Sequence, residues 1–413
     1  MKILVAAPRL PFPLDKGDRL TVFHFLRYFS QRHEVSLACF QEPDQDTAWQ
    51  EHFAPFCERI EIVPLRRSRA YASCLTGVLG KTPLQVRYFA DSQMKKTIRR
   101  MVGDLQPDLL YAQLIRMGQH IEPHSDIARV VAFNLSMSLN YRRLRDHTSN
   151  LAKKLFYGME YSKLKSFEAD FARRFDRVLL ISPYDFDAIH QDTPLENVFF
   201  CPHGVDHDYF TADPQAVREA NSMILTGNMS YAPNVDAALY FCRDIFALVH
   251  RQLPNAKLTI AGADPTPEVR NLAQDPLVEV TGRVPDLRPI VNRAQVGVAP
   301  IRIAAGLQNK VLEGMSMRLP MVVTPAANEA IQAVDEEHLL IAESPERFAD
   351  AIVRLLTSPK RRTELGRAAR RFIVEGWTWE AHYSKLETMF ESLVAAKRRG
   401  AADSSASGST GGP

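Results

Sequence analysis

The chain has little that would commit it to a membrane, an oxidising compartment or a metal. Only five of its 413 residues are cysteine (Cys39, Cys57, Cys74, Cys201 and Cys242), an odd number with no C-x-x-C pair. That spacing argues against a disulfide scaffold and a structural zinc site, and it fits a reducing compartment. No run approaches the ~18 consecutive apolar residues of a membrane span. Residues 1–7 are apolar apart from Lys2, but Pro8-Arg9 ends the run before a secretory h-region of about 7–15 residues is complete. The opening is therefore expected to be a first buried strand of a cytoplasmic protein. A charge surplus is missing too, since 51 Lys and Arg stand against 48 Asp and Glu. Without a recognition motif or an aromatic platform, that balance argues against nucleic acid as a partner. G-x-G-x-x-G, Walker and H-E-x-x-H patterns are absent, so dehydrogenase, ATPase and metalloprotease readings have no support.

What the chain does have is alternation. Short apolar or β-branched runs at 2–7, 34–40, 60–65, 109–113, 130–135, 177–182 and 198–203 alternate with amphipathic stretches. The same pattern returns at 223–227, 257–262, 278–282, 296–300, 320–324 and 339–342. Most of these runs are continuously apolar, as strands buried on both faces of a parallel sheet are. Thirteen strands exceed one ordinary sheet, and the polar stretch 204–220 divides them. The expected fold is α/β, with two Rossmann-like, doubly wound parallel-sheet domains facing across a cleft. Their expected bounds are 1–205 and 206–376. A helix over 377–399, starting at Trp377 and Trp379, is expected to pack back toward the first domain, and 400–413 to be a disordered tail.

Charge is uneven along this plan. Residues 59–174 hold 21 basic and 10 acidic side chains, with the excess in Lys95-Lys96, Arg99-Arg100, Arg142-Arg143, Arg145 and Lys153-Lys154. These are either solvated helix faces or a patch for an anionic membrane surface or anionic acceptor.

The densest chemical signal lies in residues 299–315. A strand ends near Pro300, and the chain turns through Gly306 into a helix, where open α/β sheets bind ligands. Helix N–H groups and the helix dipole favour an anion there. At ~100° per residue, Gly306, Asn309, Lys310 and Glu313 share a face, while Leu307, Val311 and Met315 point into the core. That face suits a diphosphate at the helix start and a ribose diol on the carboxylate. The alternative is a helix cap with an incidental Lys310–Glu313 pair.

These residues, 306–313 followed by Pro320-Met321-Val322-Val323-Thr324, resemble the donor-site signature of family 4 retaining glycosyltransferases of the GT-B fold. Residues 226–237 (TGNMSYAPNVDA), 280–289 (VTGRVPDLRP) and 308–313 (QNKVLE) are similar to one branch, the sugar transferases associated with exosortase/PEP-CTERM exopolysaccharide systems. Pro11-Phe12-Pro13, Lys16-Gly17-Asp18-Arg19 and Pro202-His203-Gly204-Val205-Asp206 match as well.

The resemblance implies a nucleotide-diphosphate sugar donor, no obligatory metal or other cofactor, and a glycan or lipid-linked acceptor at the inner face of the membrane. It assigns the ribose hydroxyls to Glu313 and the edge of the base to Arg283 and Val284. Leu307, Gln308 and Asn309 join Lys310 on the donor side. The family's sugar-contacting glutamate is replaced by Ala305. Its Arg and Lys pair is replaced by Gly227-Asn228-Met229, which leaves Asn228 on the donor side and Lys310 and Arg302 as substitute cations. Gly17 and Arg19, after the first strand, form either a simple surface turn or a loop whose N–H groups and charge approach the donor phosphates. Where relatives carry a His, this chain has Gln113 or Asn134, so no catalytic residue is assigned and proton transfer to the donor phosphate is the substitute. Asn134, Ser136, Ser138 and Tyr141 are either acceptor-side candidates or ordinary loop polarity, and His203 reads as a structural hydrogen-bonding residue. Two rival readings are a non-catalytic glycosyltransferase-like subunit and a nucleotide-sugar 2-epimerase-like enzyme.

Overall fold

A computed structural model describes the chain except for residues 15–16, 44–45, 79, 149, 182, 191–194, 304–306 and 409–413, and the side chains of 47, 147, 184 and 401–408. Each of the thirteen expected strands forms. β1 (Lys2–Ala7), β2 (Glu34–Gln41), β3 (Arg59–Pro64), β4 (Leu109–Gln113), β5 (Ala128–Asn134), β6 (Arg177–Leu180) and β7 (Val198–Phe200) make one sheet in the order β3-β2-β1-β4-β5-β6-β7. β8 (Ser222–Thr226), β9 (Lys257–Ala261), β10 (Val278–Gly282), β11 (Val296–Ala299), β12 (Met321–Val323) and β13 (Leu340–Ile341) make the other, in the order β10-β9-β8-β11-β12-β13. Every pairing is parallel. Some strands are shorter than their apolar runs, for local reasons. Pro320 and Pro202 have no N–H to give a ladder, and the Thr324 side chain instead accepts from Ala327 N to start a helix.

The chain divides into two compact units, Met1–Pro202 with Tyr383–Pro413, and His203–His382. In the first, helix Gly17–Phe29 lays Val22, Phe25, Leu26 and Phe29 on the sheet. The C-terminal helix adds Tyr383, Leu386 and Phe390 to the same layer, with Phe25–Phe390 and Phe29–Phe390 ring centroids 6.1 and 5.4 Å apart. Glu387 fastens it, taking hydrogen bonds from the Tyr28 hydroxyl (2.8 Å) and Arg32 (3.1 Å) and lying 2.9 Å from His33 Nε2. This helix is Trp379–Gly408, so it continues past residue 399, where a tail was expected. Alanine-rich residues 401–406 contain no proline, and helical hydrogen bonding runs on through them.

In the second unit, both faces of the sheet are covered. Phe241, Ile245, Phe348, Ile352 and Leu355 pack on one side. Val311, Leu312, Met315, Ala369 and Ile373 pack on the other. β11 is therefore buried at all four positions, which is why its sequence shows no alternation.

Candidate functional site

β8 and β11 are neighbours in the second sheet, yet the chain leaves them in opposite directions, toward β9 and β12. Ligands of open α/β sheets bind at the carboxyl ends of such a pair. Here β8 and β9 are each followed by a glycine with positive φ, Gly227 (154°) and Gly262 (152°), and β10 ends in one, Gly282 (69°). Two of these are sterically obligatory. A Cβ on Gly262 would lie 1.8 Å from the Gly227 carbonyl oxygen, and one on Gly227 would lie 2.7 Å from Asn234 Nδ2. The loops after β8 and β9 are thus pressed together, with Met229 N donating to Ala263 O at 2.7 Å.

Helix Asn309–Ser316 rises from the loop after β11, and no described side chain caps its start. Val311 and Met315 are buried as their spacing implied, and Leu307 packs on the same core. Lys310 and Glu313 are half-buried and line a cavity with Thr226, Leu287, Arg288 and Val291. Lys310 Nζ donates to Asn234 Oδ1, and Asn234 Nδ2 donates to Asn228 O at 2.9 Å, so the helix is tied to the loop after β8. No contact ion pair joins Lys310 to Glu313 among the described residues, and no described residue donates to the Glu313 carboxylate. Burial pulls Lys310 down to about 8 and pushes Glu313 up to about 7, each partly offset by the other's charge. A half-buried carboxylate that takes no hydrogen bond from the described residues has its acceptor capacity open, and ligand hydroxyls are suited to fill it.

The other residues singled out in the sequence are distributed as follows. Gly306 and Ala305 lie outside the described residues, as does Lys16. Gln308 stands at the helix start and Asn309 is its first residue, both half-buried. Asn228 is exposed, with its Oδ1 accepting from Ser230 N at 2.9 Å. Arg283 is exposed and paired with Asp264 at 3.2 Å, and Val284 beside it is half-buried. Arg302 is held by Asp236, with Nε to Oδ2 at 3.0 Å, and its guanidinium stands 4.3 Å from the Tyr240 ring. Its charge is therefore locally neutralised, and Lys310 is the better-placed cation.

In the first unit, Gly17 opens helix Gly17–Phe29, and Arg19 is buried beside Glu42 at 3.6 Å. Asn134 ends β5 with a φ of 66°. Ser136 and Ser138 are 1% and 2% exposed. Ser136 caps helix Met137–His147, and both serines hydrogen-bond the buried Glu168. Burial pushes Glu168 up to about 7, opposed by bonds from Ser138, Met137 N and Ser136. Its role here is to hold a helix start, and nothing in the surrounding sequence singled it out. Tyr141 is half-buried against Phe156 and Tyr157. Gln113 is fully buried and accepts from the Tyr111 hydroxyl at 2.7 Å, while His203 packs near Trp379.

The family profile described as glycosyl transferases group 1 matches residues 220–358, the part that holds the Lys310–Glu313 cavity. An uncharacterized 44.6 kDa protein of the cps region of Klebsiella pneumoniae is 21% identical over 93% of this chain and 98% of its own length. Glycosyltransferase 1 domain-containing protein 1 of Xenopus tropicalis is 22% identical over 37% of this chain and 46% of its own. Among solved structures, HepE of Anabaena in complex with UDP superposes with a TM-score of 0.67, 12% identity, and coverage of 95% of this chain and 100% of that one. Sucrose-phosphate synthase of Thermosynechococcus elongatus gives a TM-score of 0.69 at 13% identity, covering 96% and 99%.

Proposed function

We propose that this chain, a glycosyltransferase of GT-B fold, is a retaining enzyme of the family 4 type. In this reading it moves a sugar from a nucleoside-diphosphate donor to a glycan or lipid-linked precursor of an exopolysaccharide. One observation carries the donor half: Glu313 is a half-buried carboxylate that takes no hydrogen bond from a described residue, one turn from Lys310 and from a helix start that no described side chain caps. The ribose diol completes Glu313, while Lys310 and the N–H groups of Gln308, Asn309 and Lys310 take the diphosphate. Similarity to a cps-region protein across nearly the whole chain, and to a structure solved with UDP, supports the same reading. The charge that grows on the departing diphosphate meets these preorganised donors, which supplies the electrostatic part of catalysis without a metal. Gln113 ends β4 and is no base, so the acceptor proton passes to the donor phosphate as the glycosidic bond to the diphosphate breaks.

A pH titration tests this assignment. Glu313 accepts hydroxyls only when ionised, so nucleoside diphosphate affinity falls as pH drops through about 7. Lys310 attracts phosphate only when protonated, so affinity falls again as pH rises through about 8. Calorimetry with uridine diphosphate should therefore give a maximum between the two. Affinity that is flat from pH 6 to 9 would remove both groups from the site.

The membrane half of the reading rests on the first unit. Residues 151–156 open helix Leu151–Ala172 and are all exposed, which brings Leu151, Leu155 and Phe156 to the surface beside Lys153 and Lys154. Helix Ser92–Leu105 exposes Lys95, Lys96, Arg99 and Arg100 as well. Apolar tips among lysines suit an anionic bilayer surface. Liposomes with acidic lipid should bind the protein and release it as salt rises. Charge reversal at Lys153 and Lys154 should weaken that binding, and equal, salt-insensitive binding to neutral vesicles would contradict it.

A further inference from the structure

The carboxyl edge of the first sheet holds a group of charges that the Lys310–Glu313 donor site leaves unused, among them Arg19, expected from the sequence beside the donor phosphates. β1 and β4 are neighbours there and lead to opposite sides of the sheet, so this is its switch point. Arg9 follows β1, Glu42 follows β2, and Arg116 lies in helix Ile115–Ile121 after β4. Asp18 and Arg19 come from the first turn of helix Gly17–Phe29.

Arg9 Nε is 3.2 Å from Asp18 Oδ2, and Arg9 Nη2 is 3.7 Å from Glu42 Oε1. Arg19 Nη2 is 3.6 Å from Glu42 Oε2. The Arg116 guanidinium is 5.0 Å from the Phe89 ring and senses Asp18 and Glu42 as attraction and Arg9 as repulsion. Three guanidiniums thus meet two carboxylates among the described residues. The two contacts to Glu42 are long against the ~2.7–2.9 Å of a charge-assisted hydrogen bond. The buried Nε atom of Arg116 has no hydrogen-bond acceptor, and that of Arg9 meets Asp18 Oδ2 only as an ion pair. Arg116, with no ion pair among the described residues, is a buried cation that an anion would complete.

An aromatic wall adjoins the cluster. Phe12 stacks on His52 with centroids 3.8 Å apart and meets Trp49 edge-on at 6.4 Å. The Arg19 guanidinium is 6.0 Å from the Trp49 ring. Flat apolar faces beside a few convergent polar groups are the usual make-up of a small-ligand site.

We infer that the first unit binds the anionic group of a sugar-ring acceptor, a carboxylate or a phosphate, among Arg9, Arg19 and Arg116, with the ring against Trp49 and Phe12. Arginine forks match both oxyanions in two-pronged geometry. The word acceptor rests on the transferase reading, whereas binding does not require transfer.

The test is calorimetry on the full chain without nucleotide, using glucuronate, glucose 6-phosphate and glucose as probes. At least one anion should bind ten times more tightly than glucose, and which one binds separates carboxylate from phosphate. Arg116→Gln should lose that preference, and Arg116→Lys should keep part of it. Should Arg116→Gln fail to fold, Arg9→Gln reads the same site. Equal binding of all three probes, no binding of either anion, or an unchanged preference in both glutamine variants would overturn the proposal. So would a tenfold loss of uridine diphosphate affinity in Arg116→Gln, which would make the cluster a donor-phosphate site. Uridine diphosphate titrated into the wild type separates the two readings. If it does not bind while the anion does, the donor assignment fails and this site stands.

Discussion

Glu313→Gln is expected to weaken nucleoside diphosphate binding ten- to a hundredfold while the protein stays folded. A hydrogen bond to a charged acceptor is worth roughly 1.5–3 kcal/mol, which sets that range. Glutamine keeps the shape of the side chain but offers one weaker oxygen to the ribose diol. It should not harm the fold, because no described residue donates to the carboxylate. Folding pushes Glu313 up toward about 7 through burial, so the ionised form is disfavoured in the folded state at neutral pH. Removing the charge therefore relieves an unfavourable term, and the variant should be as stable as the wild type or more so near pH 8. Lost affinity with retained stability is the signature of a group that serves the ligand. Unchanged affinity in a folded variant would take Glu313 out of the site.

Gly262→Ala is expected to destabilise the second unit by about 3 kcal/mol or more. A left-handed φ is itself strained by about 1–3 kcal/mol for a residue with a Cβ. Here the new methyl would also lie 1.8 Å from the Gly227 carbonyl oxygen and 2.7 Å from its carbon, and backbone cannot swing aside as a side chain can. The loop that carries Asn228 would have to move, so nucleotide affinity should fall together with stability. Gly103→Ala provides the contrast, since its Cβ would meet nothing within 4 Å inside helix Ser92–Leu105. That change should stabilise by up to about 1 kcal/mol. Urea unfolding of the two variants checks both signs, and equal midpoints would refute the close approach of Gly227 and Gly262.

These two residues show what could be read in advance and what could not. The strands were legible because each is buried on both faces, so β1, β8 and β11 appear as unbroken apolar runs. The Lys310–Glu313 face was legible because helical periodicity is local, and Val311 and Met315 are buried as the spacing requires. Arg302 was not legible in the same way. Its partner Asp236 is 66 positions away, and only the β8–β11 neighbourhood brings them together. Ser136 and Ser138 looked like loop polarity free to meet an acceptor, whereas Glu168, some thirty positions on, occupies them. The arginine group of the first unit draws on the ends of three strands and the start of a helix, so no single stretch announces it. Arg19, expected from the sequence near the donor phosphates, was the one arginine of the group singled out in advance. The C-terminal helix ran past its expected end because polar composition was weighed above the helix propensity of alanine.

The central claim is that Glu313 holds the ribose of a nucleoside diphosphate, and a pairwise titration reaches it directly. Uridine diphosphate and its 2′,3′-dideoxy analogue are each titrated into wild type and Glu313→Gln. The wild type should bind the dideoxy compound at least tenfold more weakly, a difference of about 1.4 kcal/mol. In Glu313→Gln the two ligands should bind within about threefold, because the hydroxyls have lost their charged acceptor. A dideoxy penalty that persists undiminished in Glu313→Gln would mean that another group holds the ribose, and the account of the site would be wrong.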